Sequence, residues 1–161
     1  MSIRFNADEV LKMAEEIEVN GAKFYRRAAG LHKKHATFLQ KLAKMEDQHK
    51  AVFSLMRAKL PESMKEDTAF DPYMEASLYL NSMADSHGGE GAPSAAAALS
   101  GKESMEDILL IAVGLEEKSI AFYVGAMDMV PKNLGKSQIQ DIINEEKNHV
   151  ATLVAEIKKL R

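Results

Sequence analysis

Two short stretches place a glutamate three residues before a histidine: EDQH at 46–49 and EEKNH at 145–149. On a helix, residues three apart share a face, so Glu46 projects beside His49 and Glu146 beside His149. The neighbours that share each face are apolar, among them Leu42, Met45, Val52 and Phe53 in the first stretch. One such pair alone is a weak signal, better read as an ordinary core or boundary histidine. The signal becomes specific because each pair follows a second pattern on an earlier segment, a glutamate seven residues before a tyrosine. Glu18 precedes Tyr25 in EVNGAKFY, and Glu116 precedes Tyr123 in EEKSIAFY. The same E-x6-Y spacing also occurs at Glu66 and Tyr73 without any E-x-x-H partner, and it is read there as coincidence.

The two halves repeat each other. Glu18 and Tyr25 lie 98 residues before Glu116 and Tyr123, and Glu46 and His49 lie 100 residues before Glu146 and His149. Within each half the two glutamates are equidistant from a corner, at LHKKH (31–35) in the first and at Pro131 in the second. Antiparallel helices folded at those corners bring Glu18 opposite Glu46 and Glu116 opposite Glu146. Packing the two hairpins together then collects four carboxylates and two imidazoles in one layer. Four buried carboxylates repel one another and lose their hydration. Protonation relieves part of that, and two metal ions relieve it more fully. A set of four Glu and two His is hard oxygen plus borderline nitrogen, which suits iron or manganese, with zinc a further possible occupant. A Glu from each of two helices and an E-x-x-H from each of the others is a recognised di-metal arrangement.

The candidate metal ligands are therefore Glu18, Glu46, His49, Glu116, Glu146 and His149. Glu15, Glu16, Asp47, Glu117 and Glu145 are adjacent in sequence but point elsewhere around their helices, and read as surface or supporting groups. Tyr25 and Tyr123 stand about two turns, ~10.5 Å, beyond the glutamate of their own helix, too far to ligate beside it. Two readings stay open for them. They are core tyrosines with satisfied hydroxyls, or they have a catalytic role as donors to a carboxylate across the bundle or as redox-active neighbours. Phe24 and Phe122 read as packing. Gly21 and Ser119 occupy matching small positions that let helices or a ligand approach.

Helices must carry these groups. Asn6 with Glu9 forms a capping box, with Phe5 and Val10 placed as a hydrophobic staple, and opens a helix over about 7–31. A second helix spans about 34–59, with a stripe of Phe38, Leu42, Met45, Val52, Phe53, Met56 and Leu60, and stops before Pro61. A third runs from about 104 to 129 behind a Ser104–Asp107 box. A fourth covers about 138–160, starting after Ser137 with Gln140 in the box position. Residues 61–103 are too long for a plain loop and read as a crossover between hairpins, with room for a short helix in YMEASLYLNSMADS at 73–86. The expected fold class is thus all-α, one domain over 1–161, a four-helix bundle of two antiparallel hairpins.

Composition excludes much else. The chain has no cysteine, which removes disulfides, thiolate nucleophiles and cysteine-held iron–sulfur or zinc sites. Its net charge of −3 and lack of a long basic run give no nucleic-acid surface. The longest apolar run, ILLIAVGL at 108–115, is far below the ~20 residues a membrane span needs. No apolar signal segment opens the chain, so a soluble cytoplasmic protein is expected.

The stretches EIEVNGAKFY, LAKMEDQH, AVGLEEKSIAFY and IINEEKNHVATL resemble a rubrerythrin-type member of the ferritin-like superfamily, over nearly the whole chain apart from the crossover and termini. The resemblance implies a ferritin-like bundle in which the six ligands hold a non-haem di-iron centre, with Glu46 and Glu146 bridging. It also implies reduction of hydrogen peroxide or oxidation of ferrous iron by dioxygen, and a homodimer. The chain departs from that pattern twice. It lacks the cysteines of the rubredoxin-like site, so reductive turnover needs an external electron donor. Ser119 stands where rubrerythrin proper carries an extra glutamate linked to movement of one iron, a departure that bears on peroxidase chemistry and leaves the six-ligand set intact. The functional expectation is a non-haem di-iron oxidoreductase acting on hydrogen peroxide or dioxygen. The alternatives are iron binding or ferrous oxidation with little peroxidase turnover, and a metal-free interaction bundle.

Overall fold

The computed structural model describes residues 6–65, 78, 94–130 and 132–161. Four long helices carry the fold: α1 (Ala7–Leu31), α2 (Ala36–Ala58), α3 (Met105–Ala126) and α4 (Lys136–Leu160). α1 packs along α2, and α3 along α4, while α1 also meets α3 and α2 meets α4. The hairpins close through single 3-10 turns, Lys33–His35 in the first and Lys132–Leu134 in the second.

The starts of the helices follow local chemistry. The Asn6 side chain accepts from the Glu9 N–H at 2.9 Å, and the Glu9 carboxylate accepts from the Asn6 N–H at 3.1 Å. Ser104 and Asp107 make the same reciprocal pair at 3.1 and 2.9 Å. Each box satisfies two N–H groups that a helix start otherwise leaves orphaned, worth about 1 kcal/mol. α4 differs from expectation. It begins at Lys136, so Ser137 lies inside the helix and caps nothing, and Gly135 is the capping residue with no side-chain bond. α3 ends at Ala126, three residues short of the expected limit, and 127–129 form turns. The Phe5 staple, the Pro131 corner and the short helix in 73–86 fall outside the described residues, Leu78 excepted.

The apolar faces make two separate clusters. The first joins the start of α1 and of α4 to the ends of α2 and α3, through Leu11, Phe53, Met56, Phe122, Tyr123 and Ile139. The second joins the end of α1 and of α4 to the starts of α2 and α3, through Phe24, Tyr25, Leu39, Leu109 and Leu153. Fully burying one such side chain contributes roughly 1.5–3 kcal/mol. On α2 the core position is Leu39, with no exposed surface, and the expected stripe residues Phe38 and Val52 are only half-buried at its edge. The clusters place α2 and α3 running the same way, so the end of α2 and the start of α3 lie at opposite ends of the bundle. The last part of the crossover is a single helical turn, Ala95–Ala98, whose Ala96 and the following Leu99 are buried in the second cluster. Arg27 of α1 donates to the Leu99 carbonyl at 2.7 Å and pins that turn to α1. No helix among the described residues is long and apolar enough to cross a membrane.

Gly135 meets two requirements at once. Its φ is +120°, a region L side chains rarely enter, and a Cβ there would lie 2.6 Å from Met56 Cε. Gly135→Ala is therefore expected to lower stability by on the order of 1–3 kcal/mol, read as a lower denaturation midpoint. An unchanged midpoint would show that the corner relaxes freely.

Candidate metal centre

Between the two apolar clusters lies one polar layer. Glu18, Glu46, His49, Glu116, Glu146 and His149 all fall within it, none more than 4 % exposed. The helical period puts them there. On α2 the buried series is Leu39, Leu42, Ala43, Glu46, His49, Phe53 and Met56; on α4 it is Ile139, Ile142, Ile143, Glu146, His149, Leu153 and Ile157. The polar groups sit mid-stripe with apolar residues on both sides, as 3.6-residue spacing dictates.

The six converge as two groups that share members. Glu18, Glu46, His49 and Glu146 form one, and Glu46, Glu116, Glu146 and His149 the other; each offers four donor atoms within 4.8 Å of one another. Glu146 turns one oxygen to each imidazole, both at 2.9 Å from Nδ1. Glu46 does the same at longer range, 4.0 Å from His49 Nδ1 and 3.6 Å from His149 Nδ1. Glu18 lies 3.5 Å from His49 Nδ1, and Glu116 lies 3.5 Å from His149 Nδ1. The two rings stack with centroids 5.7 Å apart.

These approaches are close without being hydrogen bonds. Glu18 Oε2, Glu46 Oε1, His49 Nδ1, both Glu146 oxygens and both His149 nitrogens are buried with no aligned partner among the described residues. Nearly every buried polar group in a folded protein has a partner, and an unpaired one costs about 1–3 kcal/mol. All of these atoms but His149 Nε2 therefore face one another across the space between them. A pair of cations in that space would satisfy the atoms that face it and neutralise the carboxylates, so the donor set fits a di-metal centre with oxygen-rich coordination.

The groups around the layer support this geometry. The Tyr25 hydroxyl donates to Glu116, and the Tyr123 hydroxyl donates to Glu18. Each tyrosine thus reaches across to the other hairpin, to the glutamate that precedes its counterpart. Burial, and then the charge of that glutamate, raise both phenols well above their usual range and keep the proton on oxygen. His49 Nε2 lies 2.8 Å from Glu145, which fixes the ring with Nδ1 inward. From spacing alone Glu145 reads as a surface or supporting residue; its position next to Glu146, turned ~100° toward α2, is the signal that singles it out. The equivalent place in the first hairpin is Met45, and His149 Nε2 has no such carboxylate. Asp47 instead pairs with Arg26 on the surface, Glu15 pairs with Arg57, and Glu16 and Glu117 face outward.

Protons settle the charge in a mutual fashion. Burial and Glu18 push Glu46 well above the carboxylate range, and burial, reinforced by Glu146 and partly offset by His149, pushes Glu116 up to about 8. Burial disfavours charge on Glu146 too, but the two imidazoles outweigh it and hold that group below the usual range. Burial also works against the imidazolium, yet Glu146 and Glu18 raise His49 to about 11, and Glu116 and Glu146 raise His149 to about 9.

The fold is an all-α bundle of ferritin-like architecture. A crystal structure from Thermotoga maritima, described as that of a putative ferritin-like diiron-carboxylate protein, superposes with a TM-score of 0.72 over 98 % of both chains, at 18 % sequence identity. No family model matches the chain, and no curated protein matches it in sequence.

A histidine must be unprotonated at the nitrogen that binds a metal. With His49 at about 11 and His149 at about 9, both hold their proton at neutral pH. Metal loading is therefore expected to release protons and to tighten as pH rises. Calorimetric titrations in two buffers of different ionisation heat check this; identical apparent heats in both would contradict it.

Proposed function

We propose that the chain is a non-haem di-iron oxidoreductase that acts on hydrogen peroxide or dioxygen and takes its electrons from an external donor. The supporting observation is the set of buried donor atoms without an aligned partner among the described residues, on five of the six predicted ligands, of which all but His149 Nε2 face one another across a single layer. The ligand assignment follows the two groups. Glu18 and His49, through Nδ1, would hold one ion, and Glu116 and His149, through Nδ1, would hold the other; Glu46 and Glu146, common to both groups, would serve both.

A pair of iron ions supplies one-electron chemistry toward peroxide or dioxygen. The chain's own residues do the rest. The four carboxylates bind and set the spacing, balancing most of the cationic charge. Glu145 accepts from His49 Nε2 and so keeps its Nδ1 directed inward. Tyr25 and Tyr123 hold a proton on their hydroxyl oxygens and, by donating to Glu116 and Glu18, stop those carboxylates from swinging away. The apolar clusters on either side exclude bulk water, which strengthens every electrostatic interaction inside the layer. The absence of cysteine means that no second redox group held by thiolates lies in this chain, and electrons for turnover arrive from a partner or a small reductant.

The test is elemental analysis of protein loaded with ferrous iron without oxygen, followed by peroxide consumption with a chemical reductant. About two ions per chain are expected, as in other bundles with this ligand pattern. Glu146→Ala removes a ligand from both groups and is expected to lose both ions, whereas Glu18→Ala should leave about one. Binding at 100 times Kd adds about 2.7 kcal/mol to stability, and at roughly 2–4 °C per kcal/mol the melting temperature should rise by about 5–11 °C. Less than one ion per chain, or no thermal shift, would sink the proposal.

A further inference from the structure

The polar layer is shut on the side of its histidines and open on the opposite side. α2 and α4 close one flank, where His49 and His149 are each 3 % exposed. The other flank is the seam between α1 and α3. There the chain places its two matched small residues, Gly21 and Ser119, which correspond under the same 98-residue repeat as the tyrosines. Along α1, Gly21 lies midway between Glu18 and Tyr25; along α3, Ser119 lies midway between Glu116 and Tyr123. The two tyrosine–glutamate bridges therefore straddle this point and tie the helices together on either side of it.

A cavity of about 30 Å³ occupies the seam. Asn20, Gly21, Leu115 and Ser119 line it, with Ala95 of the crossover's last turn, and Glu46, Glu116 and Tyr25 also face it. Asn20 and Gly21 are half-exposed and the two glutamates are buried, so the cavity runs from the surface to the carboxylates. The Ser119 hydroxyl donates back to the Leu115 carbonyl at 3.0 Å and leaves the space to a small apolar outline. Gly21 has a particular position. A Cβ built on it would lie 3.4 Å from Glu46 Cγ and 3.5 Å from Glu46 Oε2. The backbone of α1 thus passes directly over a carboxylate of the metal layer, and any side chain at 21 would occupy the gap.

We infer that Gly21 is the residue that sets the size limit of the site. With Ser119 it keeps the α1–α3 seam open as an entry to the Glu46–Glu116 half of the layer. At roughly 10–15 Å³ per enclosed water-sized body, the cavity takes about two such bodies. The entry therefore admits linear molecules of two or three heavy atoms and excludes branched ones. The inference rests on the di-metal reading of the layer, and it deepens that reading by assigning the selectivity to a position that ligates nothing.

The variant needed is one that folds. Gly21 has helical backbone geometry, and the added methyl would stand at ordinary contact distance from Glu46. Alanine is also the better helix former. Gly114, on the outer part of α3, provides the matching control, because a methyl added there would meet nothing within 4 Å. Azide, linear and three atoms long, is the probe, titrated by absorbance into protein loaded with ferric iron. Gly21→Ala is expected to melt no lower than the parent and to keep its iron, yet to bind azide about tenfold or more weakly. Gly21→Val should abolish binding, and Gly114→Ala should bind azide as the parent does. Ser119→Val narrows the seam from the other helix and carries the same test should Gly21→Val fail to load. Unchanged azide affinity in Gly21→Ala and in the valine variants, at equal iron content, would overturn the inference and leave the di-metal reading standing. A parent protein that takes up no iron would bring down the di-metal reading itself, and this inference with it.

Discussion

The structure is organised around a layer of charge that the rest of the bundle keeps dry. Four carboxylates and two imidazoles are gathered where a helical protein ordinarily places leucine. Carboxylates buried without a counter-charge lose several kcal/mol each. Two of the four carboxylates, Glu116 and Glu18, are held from behind by a tyrosine hydroxyl, and Glu145 holds His49 in the same way. The apolar clusters are then divided into two, one on either side, and each has its own large side chains: Phe53, Phe122 and Tyr123 in one, Phe24, Tyr25 and Leu39 in the other. The helices are long because they must pass through both clusters and the layer between.

The internal repeat explains the economy of this arrangement. Each hairpin supplies one Glu, one tyrosine and one Glu–His pair, and neither hairpin satisfies its own tyrosine. Tyr25 needs Glu116, and Tyr123 needs Glu18. The hairpins are therefore joined by hydrogen bonds that exist only when the two are correctly docked. The symmetry is not complete. His49 has Glu145 behind it, whereas Met45 occupies the corresponding place for His149. The two halves thus present unlike electronic surroundings to otherwise like ligand sets, since a carboxylate behind an imidazole makes it the more basic donor.

Much of this is legible in the residues because helices convert spacing into direction. A glutamate and a histidine three apart must share a face, and the mirrored E-x6-Y patterns put the other two glutamates at the same level. The capping boxes at Asn6 and Ser104 are readable for the same reason, their partners being three residues away. What escapes a reading of the residues is set by contacts distant in sequence. Nothing local distinguishes Leu39 from Phe38 as the core residue of α2; the rotation of the helix against α1 decides it. Gly135 rather than Ser137 starts α4, because the corner crowds Met56 and demands a positive φ. Glu145 resembles any surface acid until α2 places His49 beside it. Asn20 and Ala95 carry no motif, and only the packing of the crossover's last turn on α1 brings them to one cavity.

That last turn has a wider meaning. Ala95 belongs to the segment that links the hairpins, and Arg27 fastens the segment's end to α1 through the Leu99 carbonyl. The roof over the opening is thus built from connecting chain, while the floor is built from the helices that hold the charged layer. Roof and floor answer to different constraints. A bundle helix cannot gain or lose a residue without rotating its ligands out of place, but a linker tolerates insertion and exchange. What such a scaffold lets in is therefore free to drift through its linker while the chemistry beneath stays anchored.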